Sequence, residues 1–308
     1  MSRVLVSGTV NIETTVRVDA FPVAYSPVRY PADGVTSTIS GVGYNVAKAL
    51  TALGSEIRLC SLVGRDLAGG LVIEALARAA IQTGDVLPRL ERTPQSAILY
   101  DGDGRRQINV DLKDVQERRY PVGRFDRALR GCHAAVLCNV NFSRPFLSRA
   151  RRAGVPIVTD VHAISGLDDE YNAEFMQAAS VLFLSGESLA CPPEDVAREA
   201  LGRFGNDIVV VGLGAAGAVL ALRNEGSIKR FPAASAPQIV STVGAGDALL
   251  AAFVHGYTAN GDPHAALRQA MVFAAHKIGT VGGADGFLPE RSSRRRPGGR
   301  GRALAGAD

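Results

Sequence analysis

The densest chemical signal in the chain is Ser241-Thr242-Val243-Gly244-Ala245-Gly246-Asp247, which runs straight into the apolar stretch ALLAAFVHGYTA. Gly-Ala-Gly permits close backbone approach and unusual φ/ψ. The Ala/Leu/Phe run is a good helix former, and the first amides of a helix have no partner inside it. They would point back at the glycine loop and make it an anion site. Asp247 stands beside that site. An acid there either caps the helix or takes a proton from a hydroxyl about to attack phosphorus. Taken alone, the motif is compatible with both.

Two further glycine loops are candidates for ligand contact. Gly41-Val42-Gly43-Tyr44-Asn45 enters a helical pattern at 45–53 that ends at Gly54. Two glycines and an Asn at a helix start suit a small polar ligand, or simply a capped tight turn. Val209-Val210-Val211-Gly212-Leu213-Gly214-Ala215-Ala216-Gly217 matches a dinucleotide G-x-G-x-x-G after a strand. A second apolar run and the turn Arg223-Asn224-Glu225-Gly226 follow it, however, so it reads as a hairpin. The stretch about 20 residues on, FPAASAPQIV, offers no acid for a ribose. A dehydrogenase is therefore disfavoured, and a glycine turn lining a nucleotide pocket fits better. The chain has no G-x-S-x-G elbow, H-E-x-x-H or G-x-x-x-x-G-K-[ST] loop, and its five His form no cluster.

The elements that must position these loops alternate. Val4–Val6, Ile57–Val63, Ala134–Leu137, Pro156–Val161, Val181–Leu184 and Ile208–Val211 are short strand-like runs of the buried, parallel kind. Helix-like runs at 45–53, 71–80, 146–153 and 193–204 separate several of them. This βαβ rhythm predicts one sheet with helices on both faces. Residues 14–40 and 95–112 break it. The second holds two alternating runs around Asp101-Gly102-Asp103-Gly104, a hairpin signal. Both segments are expected to form antiparallel strands outside the main sheet, as one small flap.

Composition narrows the class. With 308 residues, 46% of them hydrophobic, the chain can bury one large core. No apolar run approaches the length of a membrane span. The start, MSRVLVSGTVNIE, reads as a strand and turn rather than a leader, so a cytoplasmic location is expected. The net charge of +4 is concentrated: residues 291–308 carry six Arg and one Asp, which leaves about −1 on residues 1–290. The tail is expected to be disordered, and no nucleic-acid or membrane partner is implied. Cys60, Cys132, Cys138 and Cys191 show no metal-ligand spacing and are expected to be reduced, the first three buried.

Over roughly residues 3–290 the chain resembles the ribokinase-like (phosphofructokinase B type) carbohydrate kinases. The N-terminal signature is similar to Gly41-Val42-Gly43-Tyr44-Asn45, with Gly54 and Val63-Gly64-Arg65-Asp66 at the expected distances; the C-terminal one is similar to Thr242-Val243-Gly244-Ala245-Gly246-Asp247. The resemblance implies a three-layer α/β fold with a mostly parallel central sheet, a small β lid, and phosphoryl transfer from ATP, with Mg2+, to a hydroxyl of a sugar or sugar-like substrate. It casts Asp247 as catalytic base and the backbone of Gly244, Ala245 and Gly246 as anion hole. It places Asn11, Glu13, Gly41, Gly43 and Asn45 at the substrate. Gly214, Gly217, Thr242 and His276 fall at the nucleotide.

Three positions depart from the family pattern. Asn11-Ile12-Glu13 replaces the usual Asn-x-Asp, lengthening the acid by one methylene. Ser241 replaces a common Asp, which leaves the monovalent-cation loop open. Ser185-Gly186-Glu187-Ser188 stands where Asn-x-x-Glu organises magnesium, with Glu187 one position off as the candidate metal residue. A nucleoside acceptor is the runner-up, with Tyr25, Tyr30, Tyr44 and Phe142 as possible stacking partners for a base. A catalytically silent sugar- or nucleotide-binding protein is the alternative from another class. A homodimer through the lid edge is also expected.

Overall fold

The computed structural model describes residues 2–103 and 105–287. In chain order its elements are β1 (Arg3–Ser7), β2 (Asn11–Arg17), β3 (Val35–Ser40), α1 (Val42–Ala52), β4 (Glu56–Gly64), α2 (Leu67–Arg78) and β5 (Val86–Leu90). Then come β6 (Gln95–Tyr100), β7 (Arg106–Asp111), α3 (Val122–Leu129), β8 (Ala134–Leu137), α4 (Arg144–Arg152), β9 (Ile157–Ala163), α5 (Ala173–Ala178) and β10 (Val181–Ser185). The last are α6 (Pro193–Phe204), β11 (Ile208–Gly212), β12 (Ala218–Leu222), β13 (Ser227–Phe231), α7 (Ala245–Asn260) and α8 (Pro263–Lys277). The basic tail at 291–308 lies outside the described residues.

Nine strands form one sheet in the order β13-β12-β11-β10-β9-β8-β1-β4-β5. It is parallel from β5 to β11 and antiparallel at β11–β12 and β12–β13. Successive residues of a strand face opposite sides, and both sides are dry here. Val4, Val6 and Phe183 join Leu50, Phe253 and Phe273 in one core. Leu5, Leu182 and Leu184 join Phe125, Phe146 and Phe175 in the other. Each such side chain contributes about 1.5–3 kcal/mol by burial, which is why these strands read as unbroken apolar runs. Helix α7 lies against α1 and α8 and is buried along most of its length, so it too is apolar nearly all round.

The lid is a four-stranded sheet in the order β3-β2-β6-β7. Its outer pairs are antiparallel, but its central pair, β2 with β6, is parallel, which corrects the expectation of a wholly antiparallel flap. The two halves arrive from distant parts of the chain, so no hairpin turn dictates their sense. The 45–53 helix also starts earlier than its apolar spacing suggests, at Val42, so Gly43 and Asn45 sit inside its first turn. Tyr44 and Phe142 are packed in the two cores and are unavailable to stack a ligand; Tyr25 and Tyr30 are exposed. Cys60, Cys132 and Cys138 are buried free thiols, and Cys191 is exposed. Among the described residues no helix is long and apolar enough to cross a membrane.

The third glycine loop is a strand-to-strand connection: β11 ends at Gly212 and β12 returns antiparallel from Ala218. Only one 3-10 turn, Gly214–Ala216, and no α-helix follows to present its amides to a pyrophosphate, so the dinucleotide reading fails on geometry. Gly217 closes this turn at φ 98° and ψ −130°, and a Cβ there would stand 1.9 Å from the Phe231 carbonyl oxygen. Gly217→Ala should therefore cost at least about 2 kcal/mol. Denaturant unfolding of the purified variant measures this; wild-type stability would contradict it.

Candidate active site

Asp247 lies two residues after the first residue of α7, whose N-cap is Gly244 in the left-handed region at φ 76°. Asp247 is therefore not the helix N-cap. A Cβ on Gly244 would meet the Gly283 carbonyl oxygen at 2.1 Å, so only glycine lets the 279–286 loop seat against the mouth of the helix. The Ala245 amide turns back to Thr242, and the Ala248 amide is the one bonded to Gly244. The amides of Gly246 and Asp247 lie between them, where a helix has no partner of its own to offer. Their dipoles favour negative charge at this point.

The Asp247 carboxylate is held from the side. Asn45 Nδ2 donates to Asp247 Oδ2 at 2.7 Å across 202 residues of sequence. Ser40 Oγ lies 2.8 Å from Glu13 Oε2 and 3.3 Å from Asn45 Oδ1, bridging the two. Asn11 stands opposite Ser40 in the β2–β3 register and donates from Nδ2 to Ser96 Oγ at 3.1 Å. Gly41 (φ 100°) and Gly43 bring this corner together: a Cβ on either would strike backbone, Thr9 O at 2.7 Å or the Gly8 carbonyl carbon at 2.6 Å. Asn11 Oδ1 and Glu13 Oε1 are buried without a protein partner. A buried unpartnered acceptor is costly, so these two oxygens suit the hydroxyls of a polar ligand.

Charge in this corner is tuned by burial. Burial pushes the Asp247 carboxyl up to about 6; Asn45 and His162 oppose the rise, and Asp160 and Glu13 add to it. Burial also raises Glu13, against the Ser40 hydroxyl and the Gly283 amide. Beneath them Lys277, fully buried, donates to the Gly282 carbonyl at 2.6 Å. Burial lowers its ammonium to about 8, while Asp285, Glu13 and Asp247 hold it up.

A cleft of about 860 Å³ opens on the other side of the helix mouth, within the usual range for a ligand site. Gly212, Gly214, Gly217, Thr242, Ala245 and Gly246 line it, with Met271, Ala274, Ala275 and Ile278 along an apolar wall. This donor set fits a nucleotide: an apolar wall for a base, and glycines and a helix mouth for phosphates. His276 does not line the cleft; its helix presents Ala275 and Ile278 instead, because those positions face the opening. Glu187 lines it but is 70% exposed, and its own amide is turned to Ser185 Oγ. Among the described residues no group of three or more His, Cys, Asp or Glu side chains is placed to hold a metal ion. Mg2+ keeps several waters and is commonly bound by one or two carboxylates together with substrate phosphates. Asp160 and Glu187 are the carboxylates of the cleft.

Ser40 and Lys277 escape the sequence reading, and so does the backbone irregularity beside Asp160. Asp160 accepts the His162 amide at 2.7 Å, and His162 takes φ 59° where the β9–β10 register shifts. Nothing in the letters marks that irregularity. Ser40 had a signal, its place directly before Gly41. Lys277 had another, as one of only four Lys, set in the apolar run AAHKIG.

A mostly parallel sheet covered on both faces, with a β lid and a large cleft at a helix mouth, has the ribokinase-like architecture, and phosphoryl transfer to an alcohol is the chemistry of the family it serves. The model of the pfkB family of carbohydrate kinases matches residues 1–121 and 147–291, and the chain belongs to that family. It is 31% identical over 293 residues to the ATP-dependent ribose-1-phosphate kinase of Halopiger xanaduensis, spanning 92% of this chain and 94% of the relative. It is 26% identical over 279 residues to the acarbose 7(IV)-phosphotransferase of an Actinoplanes species, spanning 89% and 91%. Among solved structures, a microbiome-derived acarbose kinase superposes with a TM-score of 0.84 at 26% identity, over 95% of this chain and 97% of that one.

The raised Asp247 carboxyl has a measurable consequence. A carboxyl raised on folding stabilises the protein while it is protonated and loses that contribution as pH climbs through the folded value. Asp247→Asn keeps the neutral form throughout. Its stability relative to wild type should increase as pH rises from about 4 and level off above about 6, the window between the unfolded and folded values. Urea unfolding of both proteins across that range measures it; a constant difference would mean that the carboxylate is solvated.

Proposed function

We propose that this pfkB-family kinase uses ATP to phosphorylate a hydroxyl of a sugar or sugar-like molecule, with Asp247 as general base. The observation that carries the reading is the junction at the mouth of α7. The carboxylate there faces a corner of buried polar groups, and the residues just before it, Ala245 and Gly246, line the cleft. Phosphoryl transfer asks the protein mainly for alignment and for neutralisation of spreading charge.

Asn11, Glu13 and Asn45 orient the acceptor, using the unpartnered oxygens of Asn11 and Glu13 for its hydroxyls. Asp247 takes the proton of the attacking hydroxyl. A base whose carboxyl titrates near 6 is ionised at neutral pH yet more basic than a surface Asp, which suits that task. The amides at the start of α7 meet the charge on the transferring group. Gly214, Gly217 and Thr242 hold the nucleotide, which supplies the phosphoryl group and brings Mg2+ with it, Asp160 and Glu187 being the carboxylates on offer. The lid excludes water, which otherwise competes as acceptor. The two relatives named above are a ribose-1-phosphate kinase and an acarbose phosphotransferase, and Tyr44 and Phe142 are unavailable for stacking; both points favour a sugar over a nucleoside acceptor.

ADP release measured against a panel of sugars, sugar phosphates and nucleosides should show turnover with a sugar-type acceptor. Binding without turnover across the panel would instead favour a silent binding protein. With the acceptor found, Asp247→Asn should lower kcat by at least about 10²-fold with KM for the sugar little changed. The wild-type kcat should fall on the acid side of pH 6, where the base becomes protonated. Near-normal turnover in the variant would remove Asp247 from this role.

A further inference from the structure

Two cationic side chains line the cleft, Arg106 and Arg230, and they are held differently. Arg230 is committed: its Nε and Nη2 both bond the Glu194 carboxylate. Arg106 is not. Its Nη1 donates to the neutral Thr242 hydroxyl, and its closest carboxylate, the exposed Glu187, is 3.9 Å away. Lys277, the cation beneath the neighbouring corner, is buried on the Gly282 carbonyl and does not line the cleft. Arg106 is therefore the cleft's one uncommitted guanidinium among the described residues. It rests on Thr242, two residues before Gly244.

Its backbone belongs to the lid. Arg106 opens β7, paired with Tyr100 of β6. The turn before it is fixed by Asp101, which accepts the amides of Asp103 and Arg105 and is paired with the Arg105 guanidinium at 2.8 Å. The side chain thus starts from the lid and ends beside Thr242, at the mouth of α7. A hydroxyl and a distant exposed carboxylate hold it there weakly. A phosphate would offer it paired, charge-assisted hydrogen bonds of the kind a guanidinium fork is shaped for.

We propose that Arg106 is a phosphate-binding residue carried into the cleft by the lid, contacting the terminal phosphates of the nucleotide and tying lid closure to their presence. The inference rests on the ATP-dependent reading above. Arg106 joins the α7 amides in meeting the negative charge there, and adds the side-chain cation that an Arg-rich, Lys-poor chain has to supply.

The test is equilibrium binding of ATP and AMP, without acceptor, to wild type, Arg106→Gln and Arg106→Lys. Arg106→Gln should weaken ATP by about tenfold or more while leaving AMP within about twofold, and Arg106→Lys should fall between, keeping the charge but not the fork. Hydrogen exchange of amides 106–111 should slow on adding ATP to wild type and not to Arg106→Gln. Equal ATP affinity in wild type and Arg106→Gln, or equal losses of ATP and AMP, would overturn the role of Arg106 while leaving the kinase reading in place. Wild type that binds ATP no better than AMP would overturn the ATP-dependent reading, and this inference with it.

Discussion

A carboxylate buried at the positive end of a helix is the constraint around which this molecule is arranged. The first-turn dipoles of α7 favour anions, so they would hold both Asp247 and an incoming phosphate. Desolvation works against the charge and raises the carboxyl towards 6. The balance leaves a carboxyl more basic than one on the surface. It requires a main-chain approach that side chains would block, as the 2.1 Å distance from a Gly244 Cβ to Gly283 O makes plain.

The polar corner beside it follows from the same accounting. Glu13, Asp247 and Asp285 bring several acids close to one buried ammonium, Lys277. Left unpaired, any of them would be expensive. Ser40 and Asn45 spread the hydrogen bonding from Glu13 to Asp247, and the Gly282 carbonyl takes the lysine. The Ser40 hydroxyl holds one oxygen of Glu13 at 2.8 Å. One oxygen on each of Asn11 and Glu13 stays without a protein partner. A corner so nearly satisfied from within can recognise a ligand through the few acceptors it leaves open.

The lid and the main domain meet through this corner and through Arg106. Strands β2 and β3 carry Asn11, Glu13 and Ser40 of the polar corner, whereas Arg106 on β7 lines the cleft. On the proposed reading, both substrates would therefore meet the same small sheet.

Local chemistry was legible in the letters. The buried runs announced a parallel sheet, the two glycine signatures announced a helix mouth with an acid beside it, and 193–204 was readable as a helix to the residue. These are properties of short segments: periodicity, apolar length, glycine where a Cβ cannot fit. What required the tertiary structure was every pairing across distance. The parallel union of β2 with β6, the 202-residue reach from Asn45 to Asp247, and Lys277 beneath Glu13 depend on which segments meet. So does the face of α8 that lines the cleft, since a helix can present different faces depending on how it docks. Contacts between distant segments leave no local period in a sequence, and burial, which sets the acidity of Asp247, exists only once the layers have closed around it.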